Sequence, residues 1–163
     1  MASNVEDYDP FKLDSLVYSR VANEMKKGEY MLIKKNPCTV KSIATSKATK
    51  HVKSQLIFTG IDIFTGKEYE EYVHPLNYVI CPKASKFDYQ LLDIVDNVFL
   101  CLMEPDSAET REDLQLFENP NWRQVDENLF KEFKSLDDNT IIIVTVLRVM
   151  KKECIISYRK VAN

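Results

Sequence analysis

Three lysines and a histidine lie close together in the stretch ATSKATKHVKSQ, residues 44–55. They are Lys47, Lys50, His51 and Lys53, and no glycine or carboxylate lies among them. Because like charges repel, the lysines favour an extended loop in the free protein. A compact ammonium group on a flexible stem suits contact with phosphate or with a ribose-phosphate backbone. The stretch therefore predicts a basic loop that contacts RNA, with an affinity that falls steeply as salt rises.

Charge is unevenly distributed along the chain, although the formal net charge is only −3 over 163 residues. Residues 1–16 carry a net charge of −3, residues 17–83 a net charge of +5 and residues 84–163 a net charge of −5. The basic middle contains the loop and favours a polyanionic partner, with chance scatter of surface charge as the alternative. Lys34 and Lys35 either extend this basic face or form a solvated hairpin end.

Patterns that indicate catalysis or metal binding are lacking in the sequence. The two histidines are 23 residues apart and no cysteines are closely paired, which does not make a zinc site. There is no GxSxG, HExxH or glycine loop that could cradle a phosphate. We therefore expect no enzyme, no catalytic residues and no metal.

The cysteines and the apolar residues bear on the compartment. Cys38, Cys81, Cys101 and Cys154 are widely spaced and no apolar leader is present, which favours free thiols in a reducing compartment. No apolar run approaches the length that spans a bilayer. We expect a cytoplasmic protein without a membrane segment.

The loop must be positioned by the elements around it. The segments EYMLIKK, CTVKSIAT, QLIFTGIDIF, KEYEEYV and NYVIC predict five strands, because they are rich in β-branched and aromatic residues. Turns are predicted at residues 35–37, 65–66 and 74–77. Five short strands with tight turns favour a small barrel. With about four residues on each side of its apex, the loop could project by roughly 13 Å.

The first residues are acidic and polar, and we expect residues 1–18 to form an acidic, flexible tail. A helical spacing of apolar residues in FKLDSLVYSRVANEM, residues 11–25, predicts a helix at the entry to the barrel. After the barrel, CPKAS at residues 81–85 is the expected linker, because Pro82 cannot donate to a strand ladder.

The rest of the chain predicts a second β-rich domain. Its expected strands are DYQLLDIV, VFLCLME, EDLQLF, TIIIVTVLRV and ECIISYR. The segment NPNWRQVDENLFKEFKSL predicts one helix, with Asn119 as the N-cap, Pro120 in the first turn and an apolar stripe of Val125, Leu129 and Phe133. Arg111 is expected to pair with nearby acids. Five strands with a helix before the last two fit an oligonucleotide-binding (OB) barrel, so the fold class is all-β with a minor helix.

Four motifs resemble, in the same order, those of the eukaryotic translation initiation factor five-A family, relatives of bacterial elongation factor P. They are PCTVKSIATSK, TGIDIFTGKEYEE, FDYQLLDI and REDLQL, and the similarity runs from about Val21 to the C-terminus. The resemblance implies an SH3-like N-terminal barrel over residues 19–83 that carries the basic loop at residues 46–54. It also implies a C-terminal OB-fold barrel over residues 84–163.

The same resemblance implies a function. It implies that Lys50 is converted to hypusine from spermidine by a deoxyhypusine-forming enzyme and a hydroxylase, with no other cofactor. It implies a translation elongation or termination factor at the exit site of the large ribosomal subunit, where the modified lysine reaches the acceptor end of peptidyl-tRNA on slow or stalled ribosomes. Lys47, Lys50, His51 and Lys53 are then the expected RNA contacts.

The loop departs from the family pattern STSKTGKHGHAK at several positions. Thr49 and Val52 stand where the pattern has glycines, and Lys53 replaces its second histidine. Glycine adopts positive φ at little cost, whereas β-branched residues do not. Either the loop follows another backbone path, or the glycines serve flexibility and access. Two alternatives therefore stay open: an unmodified relative that occupies the ribosome passively in storage or dormancy, or a general RNA-binding protein.

Overall fold

The computed structural model describes residues 15–163, so expectations for residues 1–14 lie outside the described residues. The chain divides between Lys83 and Ala84 into two compact units, which are described separately below. Within residues 15–163, no helix has the length and apolar character needed to cross a membrane.

The N-terminal unit consists of two antiparallel sheets. In the first, β1 (Val17–Val21) pairs with β6 (Tyr78–Pro82). The second has the order β2 (Tyr30–Ile33), β3 (Asn36–Thr45), β4 (Leu56–Asp62) and β5 (Glu68–Val73). Alternate side chains point into the core, as the period of a strand requires. The largest buried side chains of this core are Met31, Ile33, Val40 and Phe58.

Gly60 allows unusually close packing under the two strands that carry the basic loop. A Cβ atom on Gly60 would lie 2.5 Å from Ile33 Cδ1 and 2.8 Å from Cys38 Cβ. Opposite this position, the register of β3 shifts between Val40 and Ser42. Such an irregularity bends a strand and increases its twist. The strand pair β3–β4 is therefore bent and tightly packed at its centre.

The run IDIFTGK, residues 61–67, forms the β4–β5 turn through the side chain of Asp62, which is buried. Its carboxylate accepts hydrogen bonds from the backbone N–H groups of Phe64 at 2.9 Å and Thr65 at 3.0 Å. Gly66, at a φ of 78°, completes the turn. Because all these contacts are internal to the turn, this motif acts in folding.

The C-terminal unit is a five-stranded antiparallel sheet with one helix. Its strands are β7 (Ala84–Val95), β8 (Phe99–Met103), β9 (Thr110–Arg111), β10 (Thr140–Val149) and β11 (Lys152–Ala162), in the order β11-β10-β7-β8-β9. Helix α1 (Arg123–Lys134) follows a single 3-10 turn at Pro120–Trp122. Leu129 is fully buried, and Val125 and Phe133 pack beside it. The predicted apolar stripe and the predicted fold class, all-β with a minor helix, are confirmed.

Three hairpin turns use positive φ without glycine. Their central pairs are Lys34-Lys35, Asp96-Asn97 and Met150-Lys151, with φ values between 49° and 70°. Positive φ at both central residues is the mark of a type I′ turn, whose twist matches that of the flanking strands. The sequence predicts the turn between β2 and β3 at residues 35–37. It lies one residue earlier, because Asn36 and Pro37 already belong to β3.

Two predicted elements differ from the structure, and one segment is shorter than expected. Within the described part of the helix expected at residues 11–25, Ser15 and Leu16 are helical, but Val17–Val21 form β1, because pairing with β6 overrides the helical spacing and suits the two valines. The strand expected at EDLQLF is reduced to a single bridge between Gln115 and Phe99, and Phe117 turns the chain with a φ of 68°. Of the expected linker, only Lys83 lies between β6 and β7.

All four cysteines are free. Cys38, Cys81 and Cys154 are buried, and burial raises the pKa of the Cys38 thiol to about 11 and that of the Cys154 thiol to about 12. Since the thiolate is the reactive form, these thiols are chemically inert at neutral pH.

Candidate nucleic-acid interface

The basic loop, predicted at residues 46–54, occupies residues 46–55 in the structure and connects β3 to β4, as the flanking strand patterns predict. Lys47, Lys50, His51 and Lys53 are all exposed. The structure thus brings together on one loop every residue that the sequence indicates as an RNA contact. Their roles stay a prediction, because exposure shows access and not binding.

Two pairs of hydrogen bonds shape the basic loop. At its base, Ser46 N donates to Gln55 O at 2.8 Å and Gln55 N donates to Ser46 Oγ at 2.8 Å. At its tip, Thr49 N donates to Val52 O at 2.7 Å and Val52 N donates to Thr49 Oγ1 at 3.0 Å. Lys50 and His51 lie between these tip residues. The loop is therefore a closed, narrow hairpin that places Lys50 at its end.

The backbone of the loop explains how it forms without glycine. Among the described residues, every position with positive φ lies outside residues 46–55. Thr49 and Val52 therefore adopt ordinary backbone conformations, where β-branched residues carry no left-handed strain. The sequence left open how the loop forms without the two glycines of the family pattern. The backbone path that this loop follows does not need glycine. Thr49 also supplies a side-chain acceptor that glycine lacks.

The charges on the loop are not neutralised by neighbouring acids. No carboxylate among residues 15–163 lies within ion-pair distance of Lys47, Lys50 or Lys53. Lys41, lower on β3, shows the contrast, because its Nζ lies 2.8 Å from Glu68 Oε1. The free ammonium groups of the loop are consequently available to an external anion.

Arg111 of the REDLQL motif has the opposite environment. Its Nη2 lies 2.6 Å from Asp113 Oδ2, its Nη1 lies 2.9 Å from Glu153 Oε2, and Nη1 also donates to Tyr89 Oη at 3.3 Å. These bonds raise the pKa of Arg111 and hold the pKa of Asp113 below its usual range. The expected pairing of Arg111 with nearby acids is confirmed, and it joins β9 to β11 and β7.

Residues 15–163 contain no group of three or more His, Cys, Asp or Glu side chains that could hold a metal. A groove beside the base of the loop was not predicted. Tyr72 and Tyr78 line it, together with Lys34, Lys35 and Gln55. Strand alternation could have shown that Tyr78 points outward, because Val79 and Cys81 are buried, but not which strands meet around it.

Family comparisons match both units. Residues 15–76 match the family model "Translation initiation factor 5A-like, N-terminal". Residues 84–159 match the family model "Eukaryotic elongation factor 5A hypusine, DNA-binding OB fold". The predicted OB fold of the C-terminal unit is therefore confirmed.

Individual relatives agree with these matches. The chain is 35% identical over 140 residues to eukaryotic translation initiation factor 5A-1 of Arabidopsis thaliana, covering 85% of this chain and 84% of the relative. A translation initiation factor eif-5a family protein from Naegleria fowleri superposes with a TM-score of 0.73 at 32% identity, covering 88% of this chain and 99% of that one. Eukaryotic translation initiation factor 5A from Methanococcus jannaschii, at 21% identity and a TM-score of 0.65 over 88% of this chain and 95% of that one, shows the same fold.

Proposed function

The chain belongs to the translation initiation factor 5A family, and from that premise we propose that it binds the ribosome and presents Lys50 to the acceptor end of peptidyl-tRNA. The family membership makes it a translation factor. The finer statement is our proposal: it acts in the cytoplasm, at the exit site of the large subunit, as an elongation or termination factor. There it promotes peptide-bond formation on slow or stalled ribosomes.

The observation that carries this proposal is the placement of Lys50. It lies at the end of a hairpin closed by hydrogen bonds at its base and tip, and its side chain is exposed. Lys47 and Lys53 flank it on the two arms. A preformed hairpin pays little ordering entropy when it binds, so the three charges meet an RNA backbone in a fixed arrangement.

The protein would carry out no covalent chemistry. Lys50 would supply positive charge and positioning to the acceptor end, which lowers the entropic and electrostatic cost of the reaction at the ribosome's own centre. We propose that Lys50 is converted to hypusine, which lengthens the stem and adds a second amine. Its ammonium group is exposed and has no carboxylate of residues 15–163 within ion-pair distance, which fits the attachment of an aminobutyl group.

A second candidate is favoured by a specific observation. Thr49 and Val52 close the tip through a backbone and a side-chain hydrogen bond, at the two positions where the family pattern has glycines. A stiffer tip would be a poorer fit to a deoxyhypusine-forming enzyme that needs the loop to bend. In that case the protein would be an unmodified relative that occupies the ribosome passively.

Peptide mass spectrometry of protein isolated from its native source separates these candidates. The proposal predicts that the peptide containing Lys50 carries one hydroxylated aminobutyl group, while peptides containing Lys47 and Lys53 are unchanged. A Lys50 that is unmodified throughout the population would exclude the hypusine proposal and favour the passive occupant.

Co-sedimentation with ribosomes at rising salt tests the location. The double variant Lys47→Ala, Lys53→Ala should dissociate at lower salt than the native chain, because it neutralises fewer phosphates. Lys67→Ala is the matched control, since Lys67 lies in the β4–β5 turn outside the basic loop. A chain that binds free RNA and never sediments with ribosomes would instead be a general RNA-binding protein.

A further inference from the structure

A groove of about 560 Å³ runs along the N-terminal unit and reaches the base of the basic loop. Its walls come from the end of β2, the Lys34-Lys35 turn, the end of β5, the following segment and the first half of β6. Gln55, which closes the base of the loop through its bonds to Ser46, also lines the groove. The groove is therefore continuous with the loop.

The groove combines exposed aromatic rings with positive charge. Tyr72 is 56% exposed and Tyr78 is 71% exposed, although both lie in strands, and Ile80 beside them is 44% exposed. Lys34 and Lys35 are the two central residues of a type I′ turn, which holds their backbone in a defined position on the wall. Flat rings and ammonium groups that line one groove are the two components of a surface that binds single-stranded nucleic acid.

We propose that this groove binds single-stranded RNA, with an unstacked base on Tyr72 or Tyr78 and the sugar-phosphate backbone against Lys34 and Lys35. Aromatic side chains stack on any base, and lysines neutralise the phosphates between them. The occupant would extend the RNA contact of the basic loop along the same unit. The inference rests on the proposed function only in taking RNA as the partner of that loop.

The two lysines of the groove would attract either RNA or an acidic peptide, and it is the exposed tyrosine rings beside them that favour RNA. Glu71, which is half buried, is the one carboxylate among the residues that line the groove. Lys34 and Lys35 outnumber it, so the groove keeps a positive balance. Glu71 can also accept a hydrogen bond from the exocyclic amino group of a base, as carboxylates do with cytosine. An acidic peptide would have no such use for Glu71.

Binding of a labelled single-stranded RNA of about ten nucleotides, measured by fluorescence anisotropy, tests the stacking contact. The variant Tyr72→Ala, Tyr78→Ala should bind at least about tenfold more weakly, because each base stacked on an aromatic ring contributes a large share of affinity. Tyr18→Ala is the matched control, since Tyr18 is 44% exposed on β1 and does not line the groove. Equal affinity of the groove variant and this control would overturn the proposal.

A second pair of variants tests the charges without disturbing the turn. Lys34→Asn with Lys35→Gly removes both charges and keeps residues suited to a type I′ turn. The slope of log K against log salt should become shallower by about 1.4, because about 0.7 is lost for each single-strand phosphate contact. Met150→Asn with Lys151→Gly, at the same turn type in the C-terminal unit, should leave the slope within error of the native value. An unchanged slope in the first variant would contradict the proposal.

The remaining outcomes separate this proposal from the proposed function. If the groove variants bind RNA normally but lose a polyglutamate peptide that the native chain binds, the occupant is protein and the RNA proposal is wrong. Lys50→Ala should abolish relief of stalled translation while keeping most of the ring-dependent RNA binding. If Lys50→Ala abolishes relief of stalled translation and the groove variants bind RNA like the native chain, this inference alone is wrong. If the groove variants lose RNA binding and Lys50→Ala still relieves stalling, the proposed function alone is wrong.

Discussion

Lys50 lies in the basic loop and Arg111 lies in the REDLQL motif, and the surroundings of these two basic residues are opposite. Lys50 is exposed at the tip of a hairpin without an ion pair to any residue in the described part of the chain. The Arg111 side chain is 23% exposed and engages two carboxylates and a tyrosine hydroxyl. One cation is available to a partner, and the other is committed to its own fold.

The difference shows that a family motif alone does not mark a binding residue. A surface cation that already has carboxylate partners must break those bonds to bind an external anion, which costs free energy. A cation on a preformed loop without such partners meets no such cost. Variants at Arg111 should therefore change stability, and variants at Lys50 should change activity. The predictions below test this separation, beginning with the largest expected effect on the unfolding free energy.

Arg111→Ala should lower the unfolding free energy by about 3 to 4 kcal/mol, because it leaves the half-buried Glu153 carboxylate without its partner. Chemical denaturation followed by circular dichroism measures this loss. Arg111→Lys keeps the charge and loses the bidentate geometry, so its unfolding free energy should lie between those of the native chain and the alanine variant. A loss below about 0.5 kcal/mol for the alanine variant would mean that Arg111 is not structural and would remove the contrast with Lys50.

The C-terminal unit should also contain a pH-dependent contribution to the unfolding free energy. Burial raises the pKa of Asp126 to about 6, and its Oδ2 accepts a hydrogen bond from Phe117 N at 3.0 Å. The unfolded carboxyl titrates near 4, so the native state binds more protons between about pH 4 and 6. The unfolding free energy should therefore fall by about 2 to 3 kcal/mol as the pH rises through this window.

The variant Asp126→Asn checks the assignment, because its amide oxygen can still accept from Phe117 N but cannot titrate. Urea denaturation at several pH values should show a flatter profile between about pH 4 and 6 for Asp126→Asn than for the native chain. Parallel profiles in the two proteins would assign the pH dependence to other groups.

Glycine should stabilise the turns with positive φ and not the basic loop. Replacing Met150-Lys151 by Asn-Gly should raise the unfolding free energy by about 0.5 to 1 kcal/mol, because both positions have positive φ. Replacing Thr49 and Val52 by glycine should give no gain, since neither has positive φ. Thermal denaturation of the turn variant, the loop variant and the native chain measures these differences. A loop variant that is more stable than the native chain would contradict the described backbone path.

The most local expected effect is on the hydrogen bond at the tip of the basic loop. Thr49→Val removes the hydroxyl acceptor of Val52 N with little change of shape, and a single neutral hydrogen bond contributes about 0.5 to 1.5 kcal/mol. The Val52 amide should exchange with solvent about threefold to tenfold faster, measured by hydrogen exchange. Thr49→Ser, which keeps the hydroxyl, should exchange like the native chain. Identical rates in all three proteins would show that the tip is open in solution.

Much of the fold could be predicted because strand patterns here are strong. The run of β-branched residues in TIIIVTVLRV gives β10 with the predicted bounds, and the helix stripe around Leu129 is periodic. The basic loop followed from the two strands that flank it. Val17–Val21 was misassigned because helical spacing and β-branched residues conflict there, and pairing with β6 decides between them.

The finer geometry of the site could not be predicted. The sequence left open whether Thr49 and Val52 have positive φ, and the backbone angles of the loop show that they do not. The groove also escaped prediction, because Tyr72 and Tyr78 lie on different strands of different sheets. Which exposed faces become neighbours depends on how the sheets close, and local patterns do not carry that information.

Relief of ribosome stalling by a Lys50→Arg variant is the most direct test of the central claim, that one exposed amine carries the activity. Arginine keeps the charge at the loop tip but cannot receive the aminobutyl group. We expect Lys50→Arg to keep the denaturation behaviour and ribosome binding of the native chain, with a large loss of peptide-bond formation at a stalling sequence. Full activity of Lys50→Arg would contradict it.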